Sequence, residues 1–238
     1  MIRTVKSWNG TTHFFPVLNH QRTIGNAMAF VPTSTGLVEQ TPMVVYFHGM
    51  SFAHAQNLET YLSSEKGIWD IRAALSTEKM LLVVPWGGPM SQAGFAAFFS
   101  ATALTDLIQT AMRVAVTNGS VKREVAEVPW PAKLVLAGHS GGGLALLKAA
   151  NAKTPYSRLL TDVWALDCMY WHEGNDWVRW CNRSENAGRT LHVRAVNKPL
   201  KPKVQADEML KHKPRNADIQ IVNVGHFEMP KVYAPQFV

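Results

Sequence analysis

The sequence predicts an α/β fold with a mostly parallel central sheet of about eight strands and helices on both faces. Short apolar runs of strand length alternate along the chain with longer segments of helical periodicity. Such alternation is typical of parallel sheets, because each helix crosses over and returns the chain to the same edge. The 238 residues, 47% of them hydrophobic, are enough for one core of that size, which favours a single domain over 1–238.

Eight segments have the composition and pattern of strands. They cover 2–8, 21–31, 42–47, 81–85, 134–137, 162–167, 190–196 and 218–224. Five further regions favour helices. They cover 56–79 with a break near Gly67, then 101–117, 144–150, a short helix at 175–180 with Asn175 or Asp176 as N-cap, and 202–213.

The most informative stretch begins with the apolar strand 134–137, which runs directly into Gly138-His139-Ser140-Gly141-Gly142 and then into a helix. A strand, Gly-x-Ser-x-Gly and a helix in this order form the pattern of a nucleophile elbow. The turn is so tight that side chains two residues either side of the serine would collide, and it strains the serine backbone. The Ser140 hydroxyl is then expected at a helix N-terminus, where the dipole favours developing negative charge.

On this stretch the chain resembles the serine α/β-hydrolase superfamily, which includes esterases and lipases. The resemblance implies the α/β-hydrolase fold and an oxyanion hole built from two backbone N–H groups. One belongs to the loop after strand 42–47, here His48-Gly49-Met50, and is assigned to Met50; the other follows the nucleophile and is assigned to Gly141. The His48 side chain itself is expected to be a buried structural histidine.

The resemblance also implies that an acid and then a histidine follow the serine along the chain. His172 lies in a proposed cap, His192 in a strand and His212 in a basic helix. His226 instead lies in a loop just after the last strand, next to Gly225, and is the predicted base.

Asp167, at the end of strand 162–167, is the predicted acid. The acid orients the base and stabilises the imidazolium that forms during the reaction. Family members most often carry it one strand later, but residues 197–199 contain no carboxylate, and other members carry it at the earlier strand. The sequence leaves four alternatives open: Asp207, Glu208, Glu173 and Asp176.

Three aromatic residues are predicted to contact a substrate: Trp86, Phe95 and Tyr170. Trp86 closes strand 81–85, and Phe95 comes after it, where open α/β sheets place ligands. The position of Phe95 is explained equally well if its ring packs in the core at the start of the next helix. Tyr170 belongs to the Trp- and Tyr-rich segment 168–189, which is predicted to form a small cap near the site.

Together these parts predict a serine hydrolase that cleaves a small-molecule or lipid-like carboxylic ester through an acyl-enzyme on Ser140. The same residues serve amide cleavage and acyl transfer, so an amidase, peptidase or acyltransferase is the alternative. A catalytically silent hydrolase fold that only binds ligands is a further alternative, although it would not need nucleophile, base and acid together. Neither metal-ligand spacing nor a dinucleotide fingerprint is present, so no cofactor is expected.

Charge and composition indicate which partners and which cellular location to expect. The formal net charge is +7, but no nucleic-acid motif accompanies the late basic residues, which favours a solvated face over a specific nucleic-acid partner. No apolar run is long enough to span a membrane, and residues 1–8 lack the apolar core of a secretory signal, so a cytoplasmic location is expected. Cys168 and Cys181 are expected to be reduced thiols. The oligomeric state is left open.

Overall fold

The computed structural model describes residues 2–19, 22–33, 41–50, 57–63, 69–89, 94–117 and 128–237. Within these ranges the strands are β1 (Arg3–Ser7), β2 (Gly10–Asn19), β3 (Arg22–Pro32), β4 (Met43–Phe47), β5 (Leu81–Pro85), β6 (Leu134–His139), β7 (Leu160–Leu166), β8 (Thr190–Val196) and β9 (Ala217–Val222). The α-helices are α1 (Leu58–Ser63), α2 (Trp69–Thr77), α3 (Ala101–Val116), α4 (Gly143–Asn151), α5 (Glu173–Cys181), α6 (Lys201–His212) and α7 (Met229–Tyr233). The predicted break near Gly67 lies outside the described residues.

All nine described strands form one sheet in the order β1-β2-β3-β5-β4-β6-β7-β8-β9. The first three strands pair antiparallel, and β3 pairs antiparallel with β5. From β5 to β9 every neighbouring pair is parallel. The carboxyl ends of these six strands therefore meet at one edge of the sheet, and the mostly parallel arrangement confirms the predicted fold class.

The sheet has one strand more than the sequence predicted, because β2 was not recognised. In β2 apolar residues stand next to each other, as in Phe14-Phe15 and Val17-Leu18, so apolar and polar residues do not alternate as they do in a typical half-buried strand. Pro16 also argues against a strand at this position. The proline is tolerated because β1 pairs with β2 only as far as Phe14, so Pro16 is opposed by β3 alone. A missing N–H donor costs least where a strand has an open side.

Two hydrophobic clusters cover the two faces of the sheet, which confirms helices on both sides. All five residues of strand β4 are buried, so both faces of this strand are covered. Its odd-numbered residues, such as Val45, pack in the cluster that includes residues of α3, α4, α5 and α6. Its even residues, Val44 and Tyr46, pack with α1, α2 and α7. None of the helices described is both long and apolar enough to cross a membrane.

Of the aromatic residues that indicated a cap over 168–189, Trp177 and Trp180 are core residues, whereas Tyr170 is half-buried and Trp171 is exposed. Trp177 and Trp180 of α5 are 1% and 0% exposed, and the Trp180 indole donates to the Ala150 carbonyl at 3.1 Å. Helix α5 is thus part of the layer on one face of the sheet, and only the loop 168–172 lies at its carboxyl edge. Cys168 and Cys181 are free, buried thiols.

The basic residues late in the chain do not form one continuous patch. Arg194 is 3% exposed and forms an ion pair with Asp218 on the sheet. On α6, Lys203 pairs with Asp207 and Lys211 with Glu208, as expected for a solvated helix face.

Replacing Gly143 by alanine should destabilise the fold, because α4 begins against the backbone of the loop after β7. A Cβ on Gly143 would lie 1.9 Å from the Cys168 carbonyl oxygen, so one of the two segments must move. We expect Gly143→Ala to lower the free energy of unfolding by about 1–3 kcal/mol in urea titrations. Gly188→Ala is the matched control, since nothing lies within 4 Å of a Cβ there. Equal stability of the two variants would contradict the tight contact.

Asp162 should make folding sensitive to acid. Its carboxylate lies 3.0 Å from His192 Nε2 and 3.1 Å from Lys133 Nζ. Burial raises the pKa of Asp162, but hydrogen bonds from His192, Thr161 and Lys133 outweigh it and lower the pKa to about 2. The folded-state pKa of Asp162 lies below the usual value of 3.8. The ionised carboxylate therefore stabilises the folded protein above pH 4, and this stabilisation is lost as pH falls towards 2.

We therefore expect Asp162→Asn to lower the free energy of unfolding at pH 7 and to make it depend less steeply on pH between 4 and 2. Urea titrations at several pH values measure both effects. The side chain is 21% exposed, so the effect at pH 7 should be about 2 kcal/mol at most. A variant with an unchanged slope in that window would show that Asp162 is not the responsible carboxylate.

Candidate active site

The structure contains the strained turn that the Gly-x-Ser-x-Gly stretch predicts. Ser140 directly follows β6 and has a φ of +51°, in the left-handed region that residues other than glycine rarely adopt. A Cβ on Gly138 would lie 2.9 Å from the Leu146 Cβ, and one on Gly142 would lie 2.1 Å from the Phe47 carbonyl oxygen. The two glycines therefore permit the close approach of β4, β6 and α4 that forms this turn.

The loop after β4 lies directly beside Ser140. A Cβ on Gly49 would be 2.8 Å from the Ser140 Cβ and 3.4 Å from its Oγ, so only glycine leaves room for the serine side chain. Met50 comes next in this loop with its side chain 38% exposed, and Gly141 is buried in the elbow. The structure thus places the loop that carries Met50 against Ser140, and Gly141 directly after it in the elbow, while the role of both residues in an oxyanion hole stays a prediction.

His48 has the structural role expected for it. The side chain is 0% exposed, its Nδ1–H donates to the Gly49 carbonyl at 2.6 Å, and its Nε2 accepts from the Gly87 N–H at 3.1 Å. Burial lowers the pKa of His48 to about 4, so the ring is neutral near pH 7. Trp86 stacks on it with ring centroids 4.9 Å apart, and these contacts tie together the loops after β4 and β5.

Asp167 and His226, the predicted acid and base, are brought together by the ends of β7 and β9. The His226 Nδ1–H donates to Asp167 Oδ2 at 2.5 Å. The Asp167 side chain is 2% exposed, and its Oδ1 accepts from the Val196 N–H at 3.0 Å. A buried carboxylate needs such partners, because an unpaired one would be strongly destabilising. Both carboxylate oxygens are therefore held at the carboxyl edge of the sheet.

Each of the other candidate acids is engaged away from His226. Glu173 accepts from the Trp171 N–H, Asp176 pairs with Arg179, Asp207 with Lys203, and Glu208 with Lys211. Among the carboxylates proposed from the sequence, Asp167 is the one that contacts the predicted base.

The remaining candidate bases lie elsewhere. His192 bonds to Asp162 on the sheet, His212 lies near Glu208 on α6, and His172 is exposed at the start of α5. Across the described parts of the chain, no three His, Cys, Asp or Glu side chains come together as a metal ion would require.

His139 is a site residue that the sequence did not reveal. Its Nε2–H donates to the His226 carbonyl at 2.9 Å, and the two rings lie 4.6 Å apart. Burial, followed by the neighbouring His226, lowers the pKa of His139 to about 3, so it is a neutral donor. The one sequence signal was its position immediately before the nucleophile. The contact places the loop that carries His226 beside the elbow.

The predicted substrate contacts have different outcomes. Tyr170 is half-buried in the loop after β7, and burial is the main reason why its pKa is raised to about 12. Phe95, in contrast, is 0% exposed and packs edge-on against Phe47 with ring centroids 5.6 Å apart. The interpretation of Phe95 as part of an open acyl pocket is therefore corrected: the ring belongs to the core, where it supports the His48 ring at 5.0 Å.

The protein has the α/β-hydrolase fold. No protein-family model and no curated protein matches the sequence. Solved structures match over nearly the whole chain, and their identities of 12–16% show the fold alone.

Three of these structures illustrate the match. An S-formylglutathione hydrolase from Agrobacterium tumefaciens has a TM-score of 0.58 at 13% identity, covering 99% of this chain and 96% of that one. A ferulic acid esterase has a TM-score of 0.57 at 16% identity, with 99% and 95% covered. A dienelactone hydrolase from Anabaena variabilis has a TM-score of 0.54 at 12% identity, with 96% and 95% covered.

Replacing His139 by phenylalanine should weaken the attachment of the His226 loop. Phenylalanine keeps the ring but removes the donor, which leaves the His226 carbonyl without this bond. We expect the free energy of unfolding to fall by about 1 kcal/mol, measured by urea denaturation. Glutamine at the same position retains an N–H donor and should lose less. A phenylalanine variant as stable as the wild type would show that the bond contributes nothing.

Proposed function

We propose that this protein is a serine hydrolase that cleaves a carboxylic ester through an acyl-enzyme on Ser140. The observation that carries the proposal is the 2.5 Å bond from His226 Nδ1 to Asp167 Oδ2, between residues 59 positions apart in the sequence. His139, the residue before Ser140, donates to the His226 carbonyl at 2.9 Å, which holds His226 at the elbow, and the Ser140 backbone is strained there at φ +51°. A buried acid that orients a histidine next to a strained serine is the arrangement that activates a hydroxyl nucleophile.

The hydrogen bond to Asp167 determines which nitrogen of His226 acts as the base. Because Nδ1 carries the proton that is donated to Asp167, Nε2 has the lone pair that accepts the Ser140 proton. The positive charge that then forms on the ring is stabilised by the carboxylate. The Val196 N–H holds that carboxylate from the other side, at 3.0 Å.

The reaction then proceeds in two halves. Ser140 Oγ attacks the ester carbonyl carbon, its proton passes to His226, and the oxyanion accepts hydrogen bonds from the Met50 and Gly141 N–H groups. The C–O bond breaks and His226 gives the proton to the departing alcohol. Water, deprotonated by His226, then attacks the acyl-enzyme, and the acid leaves with Ser140 restored.

The similar structures support an ester as the substrate, since their names describe hydrolases and an esterase. The rim of the site supports an apolar one. Exposed apolar side chains follow β4, β7 and β9 at the carboxyl edge: Met50 is 38%, Trp171 58% and Phe227 49% exposed. Such a rim fits a small-molecule or lipid-like ester. The alternatives of amide cleavage and acyl transfer use the same residues.

Labelling with a fluorophosphonate probe tests the nucleophile directly. We expect one adduct, located on Ser140 by peptide mapping, and no labelling of a Ser140→Ala variant that folds normally. An unlabelled wild-type protein, or an adduct on another serine, would contradict the proposal.

Replacement of the acid tests the other half of the arrangement. Asp167→Asn keeps the shape of the side chain but not its charge, so turnover of 4-nitrophenyl esters should fall by about three to four orders of magnitude. Asp207→Asn is the matched control, because Asp207 pairs with Lys203 on α6 and should not affect turnover. Similar turnover in the two variants would exclude Asp167 as the acid.

A further inference from the structure

A cavity lies at the edge of the sheet opposite Ser140, and we call it the amino-edge cavity. Its volume is about 360 Å³, at the lower end of the range found for small-molecule sites. The end of α4, the turn before β7 and the turn before β8 enclose it, so it lies at the amino ends of these strands. Ser140 and Asp167 follow the carboxyl ends of β6 and β7 instead, and the reaction proposed for Ser140 does not use this cavity.

The amino-edge cavity carries an excess of positive charge. Three cationic side chains and one carboxylate are among the described residues that line it: Lys153, Arg183, Arg189 and Glu185. In the described parts of the chain, none of the three cations forms an ion pair with a carboxylate. The basic residues of α6 differ in this respect, since Lys203 and Lys211 are both paired.

The two guanidinium groups are held in place by neutral groups. The Asn151 amide donates to a carbonyl within α4 at 2.8 Å, and its Oδ1 accepts from Arg183 Nη1 at 2.6 Å. In the same way, the Asn186 amide donates to the Trp180 carbonyl at 2.7 Å, and its Oδ1 accepts from Arg189. Both arginines are therefore oriented at the cavity while their positive charge is not neutralised.

Arg189 is the more buried of the two arginines, and its charge is the more costly one. Its Nη2 also donates to the Ser157 carbonyl at 2.8 Å, which fixes the guanidinium further. Burial lowers the pKa of Arg189, and the nearby Glu185 offsets only part of this effect. An anion bound in the cavity would stabilise the charged guanidinium, because opposite charges attract more strongly where less water surrounds them.

We propose that the amino-edge cavity binds a phosphate group, either as free phosphate or as the monoester of a small molecule. A guanidinium presents parallel N–H donors that match two phosphate oxygens, and a lysine ammonium adds a point charge. Three cations beside one carboxylate leave two positive charges in excess. A phosphate monoester carries a charge of about −1.5 to −2 near pH 7 and so balances this excess, whereas a single carboxylate balances only half of it.

Isothermal titration calorimetry of the full chain with three probes tests the ligand class. The probes are glycerol 3-phosphate, inorganic phosphate and acetate. We expect saturable binding of phosphate in at least one of its two forms, and binding of acetate that is weaker by about 10-fold or more. Tighter binding of glycerol 3-phosphate than of inorganic phosphate would identify a monoester as the ligand, and equal or weaker binding would identify the free ion.

Variants with opposite effects locate the site. Arg183→Gln should weaken phosphate binding by about 10-fold or more, because it removes a charged donor. Glu185→Gln should tighten binding a few-fold, because it removes a carboxylate that repels the anion. Both side chains are exposed, so neither change should disturb the fold. Arg158→Gln is the matched control: Arg158 follows Ser157 but lies over the Trp130 ring, 4.4 Å from its centroid, and should leave binding unchanged.

Three results would overturn the proposal. The first is the absence of saturable binding for both forms of phosphate, and the second is acetate that binds as tightly as phosphate. The third is phosphate binding that Arg183→Gln and Glu185→Gln leave unchanged, since the anion would then lie elsewhere, for example next to Ser140. These measurements need no turnover, so they remain decisive even if the protein cleaves no ester.

Discussion

The hydrogen bond between His226 and Asp167 depends on the sheet more than on the loops that carry the two residues. Asp167 ends β7, its other oxygen accepts from Val196 at the end of β8, and His226 follows β9. The three adjacent parallel strands β7, β8 and β9 must therefore end side by side, so that both oxygens of the Asp167 carboxylate have hydrogen-bond partners. Since a buried carboxylate without partners is strongly destabilising, the register of β7 to β9 and the chemistry of the site support each other.

Two of the five described non-glycine residues with positive φ lie at the ends of two neighbouring strands. Ser140 after β6 has a φ of +51° and Asp167 after β7 a φ of +44°, although neither is a glycine. Each such conformation costs about 1–3 kcal/mol and persists only where the surroundings impose it. Here the surroundings are a fully buried β6 and the close approach of Gly49 and Gly142 to their neighbours, so the core holds both side chains at the edge.

Local pattern was enough to predict the parallel strands, the tight turn at Ser140 and the position of Asp167 at the end of β7. These features depend on short apolar runs and on the few residues directly after each run. The features that the sequence did not reveal depend on contacts between distant segments. Phe95 and Trp177 are core residues because of the helices and strands that cover them, and Pro16 fits in β2 because β1 is short. The bond from His139 to the His226 carbonyl joins residues 87 positions apart, and no local pattern encodes it.

The close approach of Gly143 to the Cys168 carbonyl also has an evolutionary consequence. The start of α4 and the loop after β7 touch backbone to backbone, with no side chain between them. The spacing between Ser140 and Asp167 is therefore not adjustable by ordinary substitutions, and descendants of this sequence should keep both segments unchanged. Substitutions should accumulate instead at exposed positions such as Met50, Trp171 and Phe227. New side chains there would change which molecules fit at this edge of the sheet and would leave Ser140 and Asp167 in place.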